Sequence, residues 1–104
     1  MSGVTFRYEQ SNSFMKKGVK HTIKENCIDG PKGITIGFLE KIGDEFYKLS
    51  VKEVEKNKFE IIEKKGEEIQ PTQIIDEKEL IKMLKIHKLE TIINYVSKDR
   101  DTYK

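Results

Sequence analysis

The sequence predicts an α+β fold: an antiparallel β-meander of four to six strands over about residues 4–70, followed by one or two helices over about 76–97 packed on one face. Three observations carry this. Apolar residues recur at every second position through the first three-quarters of the 104-residue chain, the period of a half-buried strand. The segments so marked are separated by short runs of turn-forming residues, which suit hairpins and leave no room for parallel crossovers. Beyond Gln70-Pro71-Thr72 the apolar spacing lengthens to that of a helix.

The elements follow in order. Val4, Phe6 and Tyr8 alternate, then Val19, His21 and Ile23, then Ile34, Ile36 and Phe38, then Tyr47, Leu49 and Val51, and finally Phe59 and Ile61. Asp29-Gly30-Pro31-Lys32-Gly33, Gly43-Asp44, Glu55-Lys56-Asn57-Lys58 and Lys65-Gly66 punctuate them. The segment from Glu45 to Glu68 is the clearest hairpin, because Phe59 and Ile61 can meet Tyr47, Leu49 and Val51, and Asn57 tolerates a positive φ in the connection. Its outward positions Lys48, Lys52, Glu53, Glu60 and Lys64 form a mixed-charge, solvated face.

Asp76 is suited to cap a helix, with Glu77 and Glu79 complementing the positive end of the helix dipole. Leu80, Met83 and Leu84 form one apolar stripe and Leu89, Ile92, Ile93 and Val96 a second. Nine residues separate Leu80 from Leu89, which is two and a half helical turns, so on one straight helix the stripes would face opposite ways. Two arrangements satisfy both: a bend near His87-Lys88, or a single helix held between the sheet and a second subunit. Residues 1–97 therefore read as one small domain, and 98–104 as a polar, frayed tail.

Bulk properties narrow the function. Twenty Lys and Arg stand against 18 Asp and Glu, for a formal charge of +2, a balance that does not by itself imply nucleic acid. The distribution is uneven: residues 1–43 hold seven basic and four acidic groups, 44–75 six and eight, and 76–104 seven and six. One cysteine and two histidines give no metal-ligand spacing and no intramolecular disulfide, which fits a reducing, intracellular compartment and no cofactor. No apolar run is long enough for a membrane span, and the opening residues lack the apolar core of a signal peptide.

The chain has no alanine or tryptophan, has 18 lysines to two arginines, and uses isoleucine as its commonest apolar residue. Alanine codons are G+C-rich and lysine and isoleucine codons are not. In this composition the chain resembles the small orphan proteins of A+T-rich large DNA viruses, and A+T-rich bacteria and protists share the bias. The resemblance implies a place in genome organisation or the virion, in a host-cell cytoplasm or virion, and it transfers no functional residue.

KKGVKHTIKENCIDGPKG, residues 16–33, is the stretch most like a site. Lys16, Lys17, Lys20 and Lys24, with Arg7 nearby and Lys32 in the next turn, could line a sheet edge and meet phosphates. Lys20, Thr22 and Lys24 share the face opposite Val19, His21 and Ile23. Such an array gives salt-dependent, sequence-independent affinity for DNA or RNA. The plainer reading is that lysine on an edge strand prevents sheet-to-sheet aggregation. Gly30-Pro31-Lys32-Gly33 lacks the spacing of a phosphate loop and precedes a strand, so it reads as a tight turn.

Cys27, His21 and Asp29 have residue types found in nucleophile-base arrangements, but no signature surrounds them, and a structural cysteine is the reading. His87 reads as a cap or hinge. Glu53, Glu55, Glu60, Glu63, Glu67 and Glu68 are interleaved with lysine and read as surface. Met83 and Tyr95 suit core packing or a partner groove. Two functions remain. One is a non-enzymatic interaction module, self-associating or binding another protein through Leu80, Met83, Leu84, Leu89, Ile92, Ile93 and Val96. The other is a small nucleic-acid-associated protein using the N-terminal lysines. A membrane is not among the expected partners.

Overall fold

Alternation builds the sheet that the apolar pattern predicts, and two-residue turns fold it into a meander. The computed structural model describes residues 6–99. Strands β1 (Phe6–Lys16), β2 (Val19–Gly30), β3 (Gly33–Ile42), β4 (Glu45–Glu55), β5 (Lys58–Lys65) and β6 (Glu68–Ile69) lie side by side in chain order, every neighbour antiparallel. A short strand β7 (Gln73–Ile75) returns to β5 and pairs with Phe59–Ile61. The sheet thus has seven strands rather than four to six. The additional ones are the two short pieces beside β5, separated by Gln70-Pro71-Thr72, and too brief for alternation to reveal.

Each turn uses residues suited to it. Lys17 (φ 52°) and Gly18 (φ 79°) are both left-handed, as a type I′ hairpin requires. Asn57 takes φ 61°, and its side-chain oxygen accepts a hydrogen bond from the Glu77 amide at 2.9 Å, so the turn residue also receives a helix N-terminal donor. The strand alternations at Phe6 and Tyr8 and beyond are present; Val4 and residues 100–104 of the expected tail lie outside the described residues.

Helix α1 (Glu77–Ile86) starts at Asp76, whose carboxylate accepts from the Glu79 amide at 2.9 Å. It ends where a bend is predicted. Lys88 adopts φ 59°, the Lys88 amide donates to Lys85 and the Leu89 amide to Leu84, which together make a Schellman motif. Leu84 and Leu89, the hydrophobic pair of that motif, are both buried. Helix α2 (Glu90–Asn94) and a π-helical segment (Tyr95–Asp99) follow in the new direction. The bend turns both apolar stripes toward the same sheet.

The core lies between this helical layer and one face of the sheet: Cys27, Ile34, Ile36, Phe38, Leu49, Val51, Phe59 and Ile61 from the strands, Leu80, Leu84, Leu89, Ile92, Tyr95 and Val96 from the helices. Tyr95 stacks on Phe6 with ring centroids 3.8 Å apart and donates its hydroxyl to the buried Asp29 carboxylate at 2.6 Å, tying the last helical turn to β1 and β2. The helices reach only part of the sheet, whose long strands give the protein a 45 Å longest dimension. Ser11–Lys20, at the far end of the first hairpin, is exposed throughout.

Candidate functional site

Strand alternation decides where every charge goes. On β1 the core-facing residues are Phe6, Tyr8, Gln10, Asn12, Phe14 and Lys16, and the register carries that face through Cys27, Ile36, Val51 and Ile61. Among the described residues no helix lies over the opposite face. Its rows run across the strands: Arg7, Ile28, Thr35, Lys52 and Glu60; then Glu9, Asn26, Gly37, Ser50 and Ile62; then Ser11, Lys24, Leu39, Lys48 and Lys64; then Ser13, Thr22, Lys41 and Phe46.

The two faces have opposite charge. Apart from Glu55 and Lys58, which close a turn and bridge each other at 3.5 Å, the open face of the first five strands holds Arg7, Lys20, Lys24, Lys41, Lys48, Lys52 and Lys64 against Glu9 and Glu60. The covered face holds Glu25, Asp29, Glu40, Glu45, Glu53 and Glu63 against Lys16 and Lys65. A chain whose formal charge is only +2 thus presents one strongly basic surface. Within it, Glu9 lies 3.6 Å from Arg7, and the Lys64 ammonium sits 5.6 Å from the centre of the Phe46 ring.

Lys48 and Lys64 are direct cross-strand partners, an arrangement that costs stability because like charges oppose each other. Around them Leu39, Phe46, Ile28 and Ile62 leave apolar patches between the ammonium groups, and a shallow depression of about 390 Å³ is lined by Gly37, Asn26, Thr35, Lys48, Ser50 and Lys52 among others. The Asn26 side chain lies over Gly37, where an added Cβ would stand 2.9 Å from its oxygen.

The expected phosphate residues divide. Lys20, Lys24 and Arg7 do lie on the open face. Lys16 points to the other face, Lys17 sits in the hairpin turn, and Lys32 sits in the turn at the opposite end of β2. Nor is β2 an edge: it is flanked by β1 and β3, so protection of an edge does not account for its lysines. The sequence reading missed Lys41, Lys48, Lys52 and Lys64 as members of the same surface. Two corrections explain why. Glu53, expected outward, points to the covered side and accepts a hydrogen bond from the Ile34 amide at 3.1 Å, filling the space over Gly33. Glu63 likewise turns inward and accepts from the Tyr47 hydroxyl at 2.7 Å, which, with burial as the larger cause, raises the Tyr47 pKa.

The Gly30–Gly33 segment is the tight turn expected, with Gly33 at φ 110° and a carboxylate in place of any anion. Cys27 is fully buried, and His21, six residues away along an extended strand, is about 20 Å from it and stacks on Phe14 instead. His87 is the hinge residue: its ring lies 4.8 Å from Phe38 and 5.0 Å from Tyr47, and burial lowers its pKa against the opposing pull of Glu63 and Glu40.

The candidate interface residues on the helices take part in the fold. Leu80, Leu84, Leu89, Ile92 and Val96 are buried in the core, and Met83 and Ile93 are half-buried against it. Among the described residues no helix is long and apolar enough to cross a membrane, and no group of three metal-ligating side chains occurs. Comparison with protein-family models, with curated proteins and with solved structures finds no match, so the basic open face has to be interpreted from its own chemistry.

Proposed function

We propose that the protein binds single-stranded nucleic acid on the open face of its sheet. One observation carries this: Lys24, Lys41, Lys48, Lys52 and Lys64, from four strands, share a face on which, among the described residues of the five long strands, the acidic ones are Glu60, Glu9 paired with Arg7, and Glu55 paired with Lys58. Lysines on flexible stems meet phosphates as point charges and release counterions when they do. Phe46, set between the lysines, offers a flat ring for a base to stack on, and Leu39 and Ile62 add apolar contact to bases or sugars. The role is binding rather than catalysis.

A role in self-association through the helical stripes draws on less, because five of its seven residues are already covered by the sheet. The experiment is fluorescence anisotropy with a labelled single strand and a labelled duplex, from about 50 to 200 mM salt, where phosphate contacts show themselves. Five phosphate contacts on a single strand give a log-log salt slope of about −3.5. Lys48→Glu with Lys64→Glu is expected to abolish binding, while Lys32→Glu, outside the face, leaves it intact. Absence of binding at the lowest salt, or binding indifferent to the double reversal, overturns the proposal.

A further inference from the structure

We propose that β1 is a self-assembly edge, through which a second copy adds antiparallel so that two sheets become one. The inference is independent of what the open face binds. It starts from backbone groups. The type I′ turn at Lys17-Gly18 makes Lys16 and Val19 a hydrogen-bonded pair, so even-numbered residues of β1 exchange bonds with β2. Arg7, Glu9, Ser11, Ser13 and Met15 consequently aim their amides and carbonyls away from the sheet, and β1 has no strand on that side among the described residues.

The two edges of the sheet are treated differently. Opposite β1, the last edge is made of β6 and β7, two and three residues long, interrupted at Pro71. Short pieces and proline are ways of blunting an edge. The β1 edge has neither. Its register with β2 runs unbroken from Phe6 to Lys16, with no bulge and no proline, and no lysine occurs between Tyr8 and Met15. The lysines that would protect it lie on interior strands instead. Its exposed side chains include Phe14 and Met15, 40% and 65% accessible, on a hairpin arm that neither helix reaches.

A second copy fits this strand without conflict. A two-fold axis at Ser11 sets Ser11 against Ser11, Glu9 against Ser13 and Arg7 against Met15 on the open face, and Gln10 against Asn12 and Tyr8 against Phe14 on the other. No like charges meet, an exposed aromatic gains an aromatic partner, and about ten backbone hydrogen bonds form. Facing copies through the basic surface would instead bring lysine against lysine. Edge pairing keeps both open faces on one side, so the lysine rows of the two copies become continuous across the joint.

Sedimentation of the full chain from about 1 to 200 μM is expected to show a monomer-dimer equilibrium. Ser11→Pro removes an outward amide without touching a bond to β2, and Ser13→Lys adds the missing charge; each is expected to give a monomer with unchanged circular dichroism. Ser11→Cys is expected to crosslink to its own copy on mild oxidation, since paired Cα atoms lie about 5.5 Å apart in such a register and Cys27 is buried. Phe46→Cys, on the open face, should not crosslink. A monomer at every concentration overturns the proposal, and so does a dimer that survives Ser11→Pro and Ser13→Lys or leaves Ser11→Cys uncrosslinked.

Discussion

The covered and open faces of the sheet are written by alternate residues of the same five strands, yet they do unlike work. On the covered face the apolar positions beneath the helices are large and mostly enclosed, and the carboxylates of Glu25, Glu63, Asp29 and Glu53 have hydrogen-bond donors in Tyr8, Tyr47, Tyr95 and the Ile34 amide respectively. On the open face the apolar positions are isolated and half-exposed, and lysine is the commonest of the polar ones. Averaging over the chain hides both properties, because the basic excess of one face cancels the acidic excess of the other. The lesson is that charge has to be counted by face, which for a sheet means by parity.

The sharpest way to break the comparison is to remove equivalent volume from each side. Leu84, fully buried, is a link between α1 and the sheet and also the third residue from the end of its Schellman motif. Leu84→Ala is expected to cost about 2–5 kcal/mol, the range for an aliphatic side chain lost from a packed core. Ile62, 37% accessible on the open face, has more than a third of its surface in water already. Ile62→Ala is expected to cost well under 1 kcal/mol. Denaturant titration of both variants checks this; equal losses would mean that the open face is covered in solution.

A smaller effect tests how the covered face holds a carboxylate. Asp29 is fully buried and receives the Tyr95 hydroxyl, while the Tyr95 ring stacks on Phe6. Tyr95→Phe keeps the ring and the stack and removes one donor from a buried carboxyl group. A loss of about 1–3 kcal/mol is expected, more than a neutral hydrogen bond contributes and less than emptying a core position. Thermal unfolding of the variant, compared with Leu84→Ala, places the two in order.

Much of this architecture is legible in the residues. The period of two located the five long strands, Asp76 announced α1, and the nine-residue offset of Leu80 and Leu89 located the bend at His87-Lys88. What escaped was non-local. The polar run Ser11-Asn12-Ser13 has no apolar alternation, so only pairing with Lys24, Ile23 and Thr22 shows it to be strand. Asp29 looked like part of a turn, and Tyr95, 66 residues later, supplies the bond that makes it a core residue. The lysine surface was half visible on β2, but joining Lys24 to Lys48 and Lys64 requires the register of three further strands. Glu53 concealed it: the residue continues the inward series of Tyr47, Leu49 and Val51, but a carboxylate beside the Glu55-Lys56-Asn57-Lys58 turn reads as solvated, and only the Ile34 amide, 19 residues away, shows what holds it inside.

The slightest expected effect is one of pH, and it belongs to the boundary where the helical layer stops. His87 packs between Phe38 of β3 and Tyr47 of β4, with Glu40 from β3 and Glu63 from β5 as the carboxylates that act on it and Lys88 as its cationic neighbour in the chain. Burial disfavours the imidazolium, the two glutamates favour it, and burial wins, so the folded-state pKa lies below the ordinary value of 6.5. The sign follows from which state takes up the proton first. Between pH 6.5 and the lower folded-state value the unfolded chain is protonated and the folded one is not, so stability declines as pH falls through that window and levels off beneath it. His87→Phe keeps an aromatic ring between Phe38 and Tyr47 and has nothing to protonate. Its stability, measured by urea unfolding from pH 7.5 down to 5, is expected to lack the decline attributable to His87. A wild-type curve parallel to that of the variant would mean that the glutamates balance burial, and one that rises relative to it as pH falls that they outweigh it.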